Sequence, residues 1–359
     1  MVNNAKVTKT DYAYILDWDD YYAPAALNYI QSNGLIVASA FKPFSIKTAS
    51  GNKSFNYGSM LIAVSKQKKS SDEVFQIVSK AQEKFNVPFF SSSSGFSLSG
   101  IDLGSNNFRA LKKAKVAMFI GDGVSSYEAG EVWHLLDTRI QMPITKIQIR
   151  SLRRASLDRY TALVMVSGSY SQLDSVQMAG LKTWISKGNT LITIASASKW
   201  AIDKKLVKES LIKKATSKDK KDVVVERLPY VEASQHIGRE KLGGAIFEVD
   251  LDITHPLGFG YRSNLLPIYK NNNVFIMPSK SKFSTVANYT KNPHIDGYIS
   301  PKNLKENLKP SASLIVSPVG RGRVVLFADN PNFRGAWYGT NKMFLNAIFL
   351  GSEISVPRG

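Results

Sequence analysis

One short stretch of the chain holds residue types that acid–base or metal chemistry uses. Residues 121–137 read GDGVSSYEAGEVWHLLD, in which Glu131 and His134 are three positions apart. On a helix this spacing places both side chains on one face, with Asp137 one turn beyond His134. Carboxylate-bridged di-metal bundles use the same spacing, but they need a second such pair on another helix, and this sequence has none. The stretch therefore predicts a local polar cluster and no metal ligand.

The glycines of the same stretch raise the question of a phosphate cradle. Gly121 and Gly123 fit the first positions of a G-x-G-x-x-G fingerprint, but Ser126 occupies the third. Ser125 and Glu128 have the spacing of a capping box, which favours a capped helix without a ligand. A second interpretation keeps Gly123, Ser125 and Ser126 as ligands of an anion or polar group, because the first N–H groups of a helix attract one.

Nucleophilic catalysis finds little support in the sequence. The chain has no cysteine, which excludes disulfides, thiolate zinc sites and cysteine nucleophiles. Class I glutamine amidotransferases carry their nucleophile at a sharp turn after a central strand. The corresponding stretch here is IASASKWA, in which Ala197 is nearest to that position and Ser196 and Ser198 flank it. No His-x-Glu follows it in the sequence, so we assign no catalytic residue.

A loop near the end of the chain combines arginine and aromatic residues. It follows the predicted strand RVVLFAD and reads NPNFRGAWYGTN. Arg334, Trp337 and Tyr338 would line a ligand crevice at the carboxyl end of that strand. The same side chains would equally anchor the loop to the body of the protein, and the sequence leaves both interpretations open.

The elements that position these residues follow an α/β pattern. Apolar strands such as KVAMFIGD, ITKIQI, YTALVMVSG and NTLITIAS alternate with amphipathic helices, including one expected over SKWAIDKKLVKESLIKK. This alternation predicts a mostly parallel, doubly wound sheet of the amidotransferase or flavodoxin type over residues 101–359. The β-leaning residues at about 223–320 are expected to form an insertion or an extension of the sheet.

The first hundred residues predict a smaller α/β domain, residues 1–100. Its strands include YAYILDW and a hairpin over SIKTASGNKSFNYGSMLIAVS, and Ser70 and Glu73 have the spacing of a capping box. The Ser/Gly-rich stretch SSSSGFSLSGIDLGSNNF is expected to be the linker between the two domains.

Composition limits the classes of partner. The 359 residues include 47 Lys and Arg against 28 Asp and Glu, a formal net charge of +19. The lysines are dispersed, and zinc-finger spacings and RNP-like aromatic motifs are absent, so we predict a basic solvated surface and no nucleic-acid partner. No apolar run approaches the roughly 18 residues that span a bilayer, and the start of the sequence lacks the apolar core of a signal peptide.

Four phrases of the sequence together resemble one known family. YILDWDDYYAPAALNYI, SYEAGEVWHLLDTRIQMPIT, FEVDLDITHPLGFGY and GRVVLFADNPNFRGAWYGTNKMFLNAIFLG are similar to the C-terminal half of large bacterial zinc carboxypeptidases. In that family a metallocarboxypeptidase domain precedes a region like a class I glutamine amidotransferase. The family holds zinc with a His-x-x-Glu pair and a later His, which no stretch here matches. The resemblance therefore implies zinc only in a peptidase domain outside these residues.

The resemblance implies a role and leaves two alternatives. It makes this chain a non-catalytic accessory region of an exported protein, secreted or periplasmic, whose peptidase domain hydrolyses peptides. Its partners would be that upstream domain and a peptide or cell-wall-derived ligand. One alternative is a free-standing hydrolase or amidotransferase-like enzyme that uses Ser125, Glu131 and His134. The other is a carbohydrate- or polymer-binding module that uses Trp337 and Tyr338.

Overall fold

The first unit is built on two antiparallel sheets. The computed structural model describes residues 6–212 and 227–355. The elements of the first unit are β1 (Ala13–Leu16), α1 (Ala23–Ser32), β2 (Ala38–Ala40), β3 (Phe44–Thr48), β4 (Gly51–Phe55), β5 (Met60–Ala63), α2 (Ser71–Phe85), β6 (Phe89–Ser92), β7 (Ser97–Gly100) and β8 (Phe108–Ala110). One sheet has the order β6-β1-β5-β2-β8 and the other has the order β4-β3-β7.

Two expectations for this unit need correction. The hairpin joins β3 to β4, and the apolar strand that follows, β5, leaves it to pair with β1 and β2. The Ser/Gly-rich stretch is not an unpaired linker, because it holds β7, which pairs with β3, and its last residue, Phe108, begins β8, which pairs with β2. Strand backbones need hydrogen-bond partners, and a single sequence does not show which distant strand supplies them.

The second unit has the predicted α/β architecture. Its elements are β9 (Val116–Ile120), α3 (Ser126–His134), β10 (Ile144–Gln148), β11 (Ala162–Met165), α4 (Ser175–Ser186), β12 (Thr190–Ile194), α5 (Ser196–Asp203), α6 (Ala233–Arg239), β13 (Ala245–Leu251), β14 (Leu265–Lys270), β15 (Thr285–Gly297), β16 (Ala312–Val319), β17 (Gly322–Phe327) and α7 (Asn341–Phe349). The sheet order is β10-β9-β11-β12-β17-β16-β15-β13-β14, and the first five strands are parallel. This is a doubly wound sheet of the flavodoxin type.

The described part of the predicted β-rich stretch, residues 227–320, extends this sheet. Strands β13, β14, β15 and β16 all pair antiparallel, and β16 joins the extension to β17. Residues 223–226 of the same prediction lie outside the described residues. Because the extension adds four strands beside β17, β12 and β17 are central strands of the nine-stranded sheet.

Alternate side chains of the parallel strands enter two cores, one on each face of the sheet. In β9, Val116 and Met118 join one core and Ala117 and Phe119 the other. Helices α4 and α5 cover the second face, whereas α3, α7 and the first unit cover the first. Burial on both faces explains why these strands read as continuous apolar runs.

The helix expected over SKWAIDKKLVKESLIKK is shorter than predicted. Helix α5 ends at Asp203, and Lys205 takes the left-handed conformation with φ 54°. Leu206 and Val207 then turn inward and are buried. The last two residues of the predicted helix, 213 and 214, lie outside the described residues. In the described ranges, no helix is long and apolar enough to cross a membrane.

Candidate functional site

The turns that follow four parallel strands meet at one edge of the sheet. They are residues 121–125 after β9, 166–169 after β11, Ala195 after β12 and 328–330 after β17. In a sheet of this order the crevice between β9 and β11, where the chain reverses its direction across the sheet, is the usual ligand position. The candidate residues of the sequence analysis lie in and around these turns.

The crevice between β9 and β11 is closed by the chain's own backbone. Ser125 N donates to Ser167 O at 2.8 Å, and Ser169 N donates to Gly123 O at 2.7 Å. A Cβ added at Gly168 would lie 2.7 Å from Gly123 O, so the two turns are in close contact. The fold position that holds a cofactor in other sheets of this order is therefore occupied by the two turns themselves.

The start of α3 is capped by protein groups. The Ser125 hydroxyl accepts from Glu128 N at 3.3 Å, as the capping box predicts. The Glu128 carboxylate does not return to Ser125, since it accepts from Ser167 N at 2.7 Å. Burial raises the pKa of Glu128, while the hydrogen bond from Ser167 opposes this shift. A carboxylate of the chain thus already lies where the sequence allowed an external anion, although Gly123 and Ser126 remain exposed.

The turn between β12 and α5 has the shape of a nucleophile elbow. Ala195, at its apex, has φ 48° and ψ −111°, a strained conformation that places a side chain at the top of a strand-to-helix turn. The prediction that Ala197 lies nearest to the nucleophile position is therefore wrong. Ala195 occupies that position, and Ala197 is buried within α5. An alanine has no group that attacks a carbonyl carbon.

One donor beside this elbow is already in use. In enzymes with such an elbow, the N–H after the nucleophile and an N–H from a neighbouring turn stabilise the oxyanion. Here Gly168 N, in the turn after β11, donates to Ser196 Oγ at 2.9 Å. Ser198 Oγ is buried and donates to Phe327 O at 2.8 Å. Both serines that flank Ala197 are thus engaged in structural hydrogen bonds.

Glu131 holds the loop that follows β17. Its two carboxylate oxygens accept from Asn330 Nδ2 at 2.5 Å and from Arg334 N at 2.6 Å. Burial raises the pKa of Glu131, and these two hydrogen bonds oppose the shift. Arg334 has φ 51°, a conformation that turns its backbone N–H toward the carboxylate and leaves its side chain exposed. The main role that the structure gives to Glu131 is to fix this loop.

The aromatic residues of the loop have different surroundings. The Trp337 ring is partly buried and its centroid lies 6.2 Å from that of Tyr269, so it anchors the loop. Tyr338 is 49% exposed. Its hydroxyl accepts from Arg139 Nη2 at 2.7 Å, and the Arg139 guanidinium lies 4.1 Å from its ring centroid. His134 is exposed, and a Cβ added at Gly335 of the loop would lie 3.4 Å from His134 Nδ1.

Two tyrosines of the first unit join this surface. Tyr21 contacts the ring of Tyr338 edge-on at 5.7 Å and the ring of Tyr22 at 5.1 Å. The Tyr21 hydroxyl donates to Asn341 Oδ1, and burial raises the pKa of Tyr21 to about 12. We call Tyr21, Tyr22, Tyr338 and Arg139 the tyrosine face. Sequence reasoning missed three of its four members, because Tyr21 and Tyr338 are separated by most of the chain.

The eight candidate residues therefore do not form one site. Gly123, Ser125 and Ser126 lie at the start of α3, whereas the other five lie near its end and in the loop after β17: Glu131, His134, Arg334, Trp337 and Tyr338. Within residues 6–212 and 227–355, no hydrogen bond joins Ser125, Glu131 and His134 to one another. The same ranges contain no group of three His, Cys, Asp or Glu side chains that is arranged to hold a metal ion.

Comparisons with known proteins give fold similarities only. No protein-family model matches the chain, and no curated protein matches it. Its fold is similar to that of a ThuA-like protein from Parabacteroides merdae, with 8% identity and a TM-score of 0.44 over 68% of this chain and 92% of that one. A glutamine amidotransferase from Thermotoga maritima has 10% identity and a TM-score of 0.33, over 60% of this chain and 75% of that one. A cold-adapted β-galactosidase from Rahnella sp. R3 has 12% identity and a TM-score of 0.33, over 68% of this chain and 32% of that one.

Proposed function

We propose that this chain is a non-catalytic accessory region of an exported zinc carboxypeptidase-like protein. The absence of catalysis is supported mainly by one observation. Alanine, at position 195, occupies the apex of an elbow-shaped turn where an enzyme would hold its nucleophile. The resemblance of four long phrases of the sequence to the C-terminal half of those carboxypeptidases supports the accessory part. Peptide hydrolysis would then belong to a zinc-binding domain outside these residues.

The surroundings of the elbow also support the absence of catalysis. A serine nucleophile needs a base within hydrogen-bond reach. In the described ranges, no hydrogen bond links a histidine to Ser196 or Ser198. His255 Nδ1 instead accepts from Leu257 N at 3.1 Å, and His294 Nε2 is 2.6 Å from Gly297 O. A hydrolase that uses the elbow serines is therefore not supported, and the alternative of a free-standing enzyme rests on Ser125, Glu131 and His134, which no hydrogen bond joins in the described ranges.

The tyrosine face is the surface that we propose for ligand binding. Tyr22 is 41% exposed and Tyr338 is 49% exposed, and both rings pack against Tyr21. Rings that are held in place before binding lose little conformational entropy when a sugar ring or a peptide side chain packs on them. Exposed His134 and Arg334 add polar groups near the face. This arrangement suits a peptide or cell-wall-derived ligand better than a metal or an anion alone.

The non-catalytic proposal is tested by assaying the chain with glutamine and with p-nitrophenyl acetate. We expect both hydrolysis rates to equal the rate in buffer, because the elbow has no nucleophile. Ser196→Ala and Ser198→Ala are the informative variants, since these are the hydroxyls next to the elbow. Turnover by the native chain that either variant abolishes would contradict the proposal.

The ligand proposal is tested by titrating a soluble muropeptide into the native chain and two variants. Tyr338→Ala removes an exposed ring from the tyrosine face and is expected to weaken binding about tenfold, as the loss of an aromatic anchor does. Tyr230→Ala is the matched control, because Tyr230 is 95% exposed and lies outside the face. Equal affinities for the two variants would show that the face is not the binding surface.

A further inference from the structure

A large cleft lies at the amino ends of the parallel strands, at the opposite end of the sheet from the elbow. Its volume is about 1120 Å³. Its walls come from β8, α4, the segment after α5, the turn between β16 and β17, and the residues after α7. The volume exceeds the roughly 300–1,000 Å³ of a typical small-molecule site, so it suits a ligand with several units.

The charge of the cleft is strongly unbalanced. Six basic side chains line it: Arg109, Lys182, Lys205, Lys208, Arg321 and Arg323. Among the described residues of the lining, Glu353 is the one acidic residue, and its carboxylate accepts from the Ser352 hydroxyl. Within the described part of the chain, none of the six basic side chains forms an ion pair. In these ranges, therefore, ion pairs do not neutralise their positive charge.

One of these cations is built into the wall. Arg323 is only 5% exposed, and its guanidinium donates to Gly351 O at 2.5 Å and to Arg321 O at 2.7 Å. Its Nε has no acceptor among the described residues. Burial lowers the pKa of Arg323 to about 10, although Glu353 opposes the shift. An anion in the cleft would offset part of the free energy that burying this charge costs.

Apolar side chains line the same cleft beneath the charges. Leu206, Val207, Val319 and Ile354 are all buried there. A concave surface with low-dielectric walls concentrates the field of the charges around it, and the net charge of +19 adds to that field. The described lining includes no aromatic side chain on which bases would stack, which disfavours single-stranded nucleic acid.

We propose that this basic cleft binds an oligoanion, a molecule with several closely spaced phosphate or carboxylate groups. Lys205, Lys208 and Arg321, which are exposed at the rim, contact its anionic groups, and Arg323 supplies fixed positive charge from the wall. This site is separate from the elbow and from the tyrosine face. It gives the chain a second, anion-specific binding function.

Calorimetric titration of the full chain tests the proposal with two probes. Inorganic triphosphate represents the phosphate source, and tetragalacturonate represents the carboxylate source. The test variant combines Lys205→Gln, Lys208→Gln and Arg321→Gln. The control variant combines Lys66→Gln, Lys68→Gln and Lys80→Gln, which removes the same charge from exposed lysines of the first unit.

We expect at least one probe to bind the native chain. Its affinity for the test variant should be at least about tenfold lower, and its affinity for the control variant should be within about twofold of the native value. The probe that binds identifies the source of the anion. Both variants should unfold at the midpoint temperature of the native chain, which would show that the fold is retained. If the test variant does not fold, the single variant Lys208→Gln replaces it. The proposal is overturned by no binding of either probe, or by equal weakening in the test and control variants.

Discussion

At the scale of single residues, Ala195 holds a backbone conformation that few residues other than glycine adopt. Such conformations cost of the order of 1–3 kcal/mol and persist where the surroundings over-determine them. Ala195 N donates to Phe327 O at 2.8 Å, and Ala195 O accepts from Ser198 N at 3.0 Å. The pairing of β12 with β17 and the first turn of α5 therefore maintain the strained elbow, although no nucleophile uses it.

This strain predicts an unusual response to glycine. Ala195→Gly should raise the free energy of unfolding by about 1 kcal/mol, because glycine accepts the positive φ without strain. Ala197→Gly should lower it by about 1 kcal/mol, since Ala197 lies inside α5. Urea denaturation of the two variants measures both changes. An equal loss of stability in both would mean that Ala195 is not strained.

Glu131 is expected to act on the structure of the loop. Glu131→Ala removes the acceptor of Asn330 Nδ2 and of Arg334 N, so we expect a loss of about 2 kcal/mol and faster hydrogen exchange at the Arg334 amide. Glu83→Ala, an exposed glutamate on α2, is the control and should change neither quantity. Unchanged exchange at Arg334 in Glu131→Ala would contradict this role.

At the scale of elements, one buried carboxylate joins the antiparallel extension to the parallel strands. Asp329 follows β17 and accepts from Lys270 of β14 at 2.9 Å, from Ser313 of β16 at 2.6 Å and from the Tyr289 hydroxyl of β15. Lys270 is fully buried, and burial lowers its pKa while Asp329 opposes the shift. Four strands thus depend on the placement of one side chain.

Removing that carboxylate should lower the free energy of unfolding, and a second substitution should restore part of the loss. Asp329→Asn leaves the buried Lys270 ammonium unpaired and should cost about 3–5 kcal/mol. Adding Lys270→Met removes the unpaired charge, while the amide oxygen of the introduced asparagine still accepts from Ser313, so the double variant should regain part of this loss. A double-mutant cycle by urea denaturation measures the coupling. Purely additive costs would contradict the ion pair as the main contribution.

The elements were more predictable from sequence than the site. Apolar strands alternating with helices identified the doubly wound sheet, and the Ser70–Glu73 spacing identified a capping box that forms completely. The site depends on pairs that spacing does not show, since Glu131 contacts Asn330 and Arg334 about 200 residues away. The sequence analysis placed the apex of the elbow at Ala197, two residues after Ala195. The strained φ and ψ of Ala195 identify the apex in the structure, but an alanine in the sequence does not indicate such a conformation.

At the scale of the whole molecule, the first unit and the sheet share one core. Trp18 Nε1 donates to Asn346 Oδ1 of α7 at 2.8 Å, and Asn346 Nδ2 donates to Leu257 O and Phe259 O. The short turn that carries these two carbonyls begins at His255, whose Nδ1 accepts from Leu257 N. The protonation state of one histidine therefore bears on a contact between distant parts of the chain.

The stability of the protein should fall with acid through His255. Burial lowers the pKa of His255 from 6.5 to about 4, although Asp252 opposes the shift. Between these two values the unfolded chain binds a proton that the folded chain does not, so the free energy of unfolding decreases as pH falls, by at most about 1.4 kcal/mol per pH unit. His255→Asn keeps a side-chain cap without titrating and should flatten this slope.

Urea denaturation of the native chain and the variant at pH 7, 6 and 5 measures the slope. His236→Asn, at an exposed histidine of α6, is the control and should keep the native slope. Equal slopes for the native chain and His255→Asn would show that folding does not lower the pKa of His255.

The proposed role gives this chain no catalytic activity of its own and makes it serve a zinc peptidase domain. We would first measure zinc-dependent carboxypeptidase activity of residues 1–359 beside a longer polypeptide that also carries the sequence upstream of it in its own gene. We expect activity in the longer polypeptide and none in residues 1–359. Zinc-dependent peptidase activity in residues 1–359 alone, lost in His134→Ala, would contradict the proposed role.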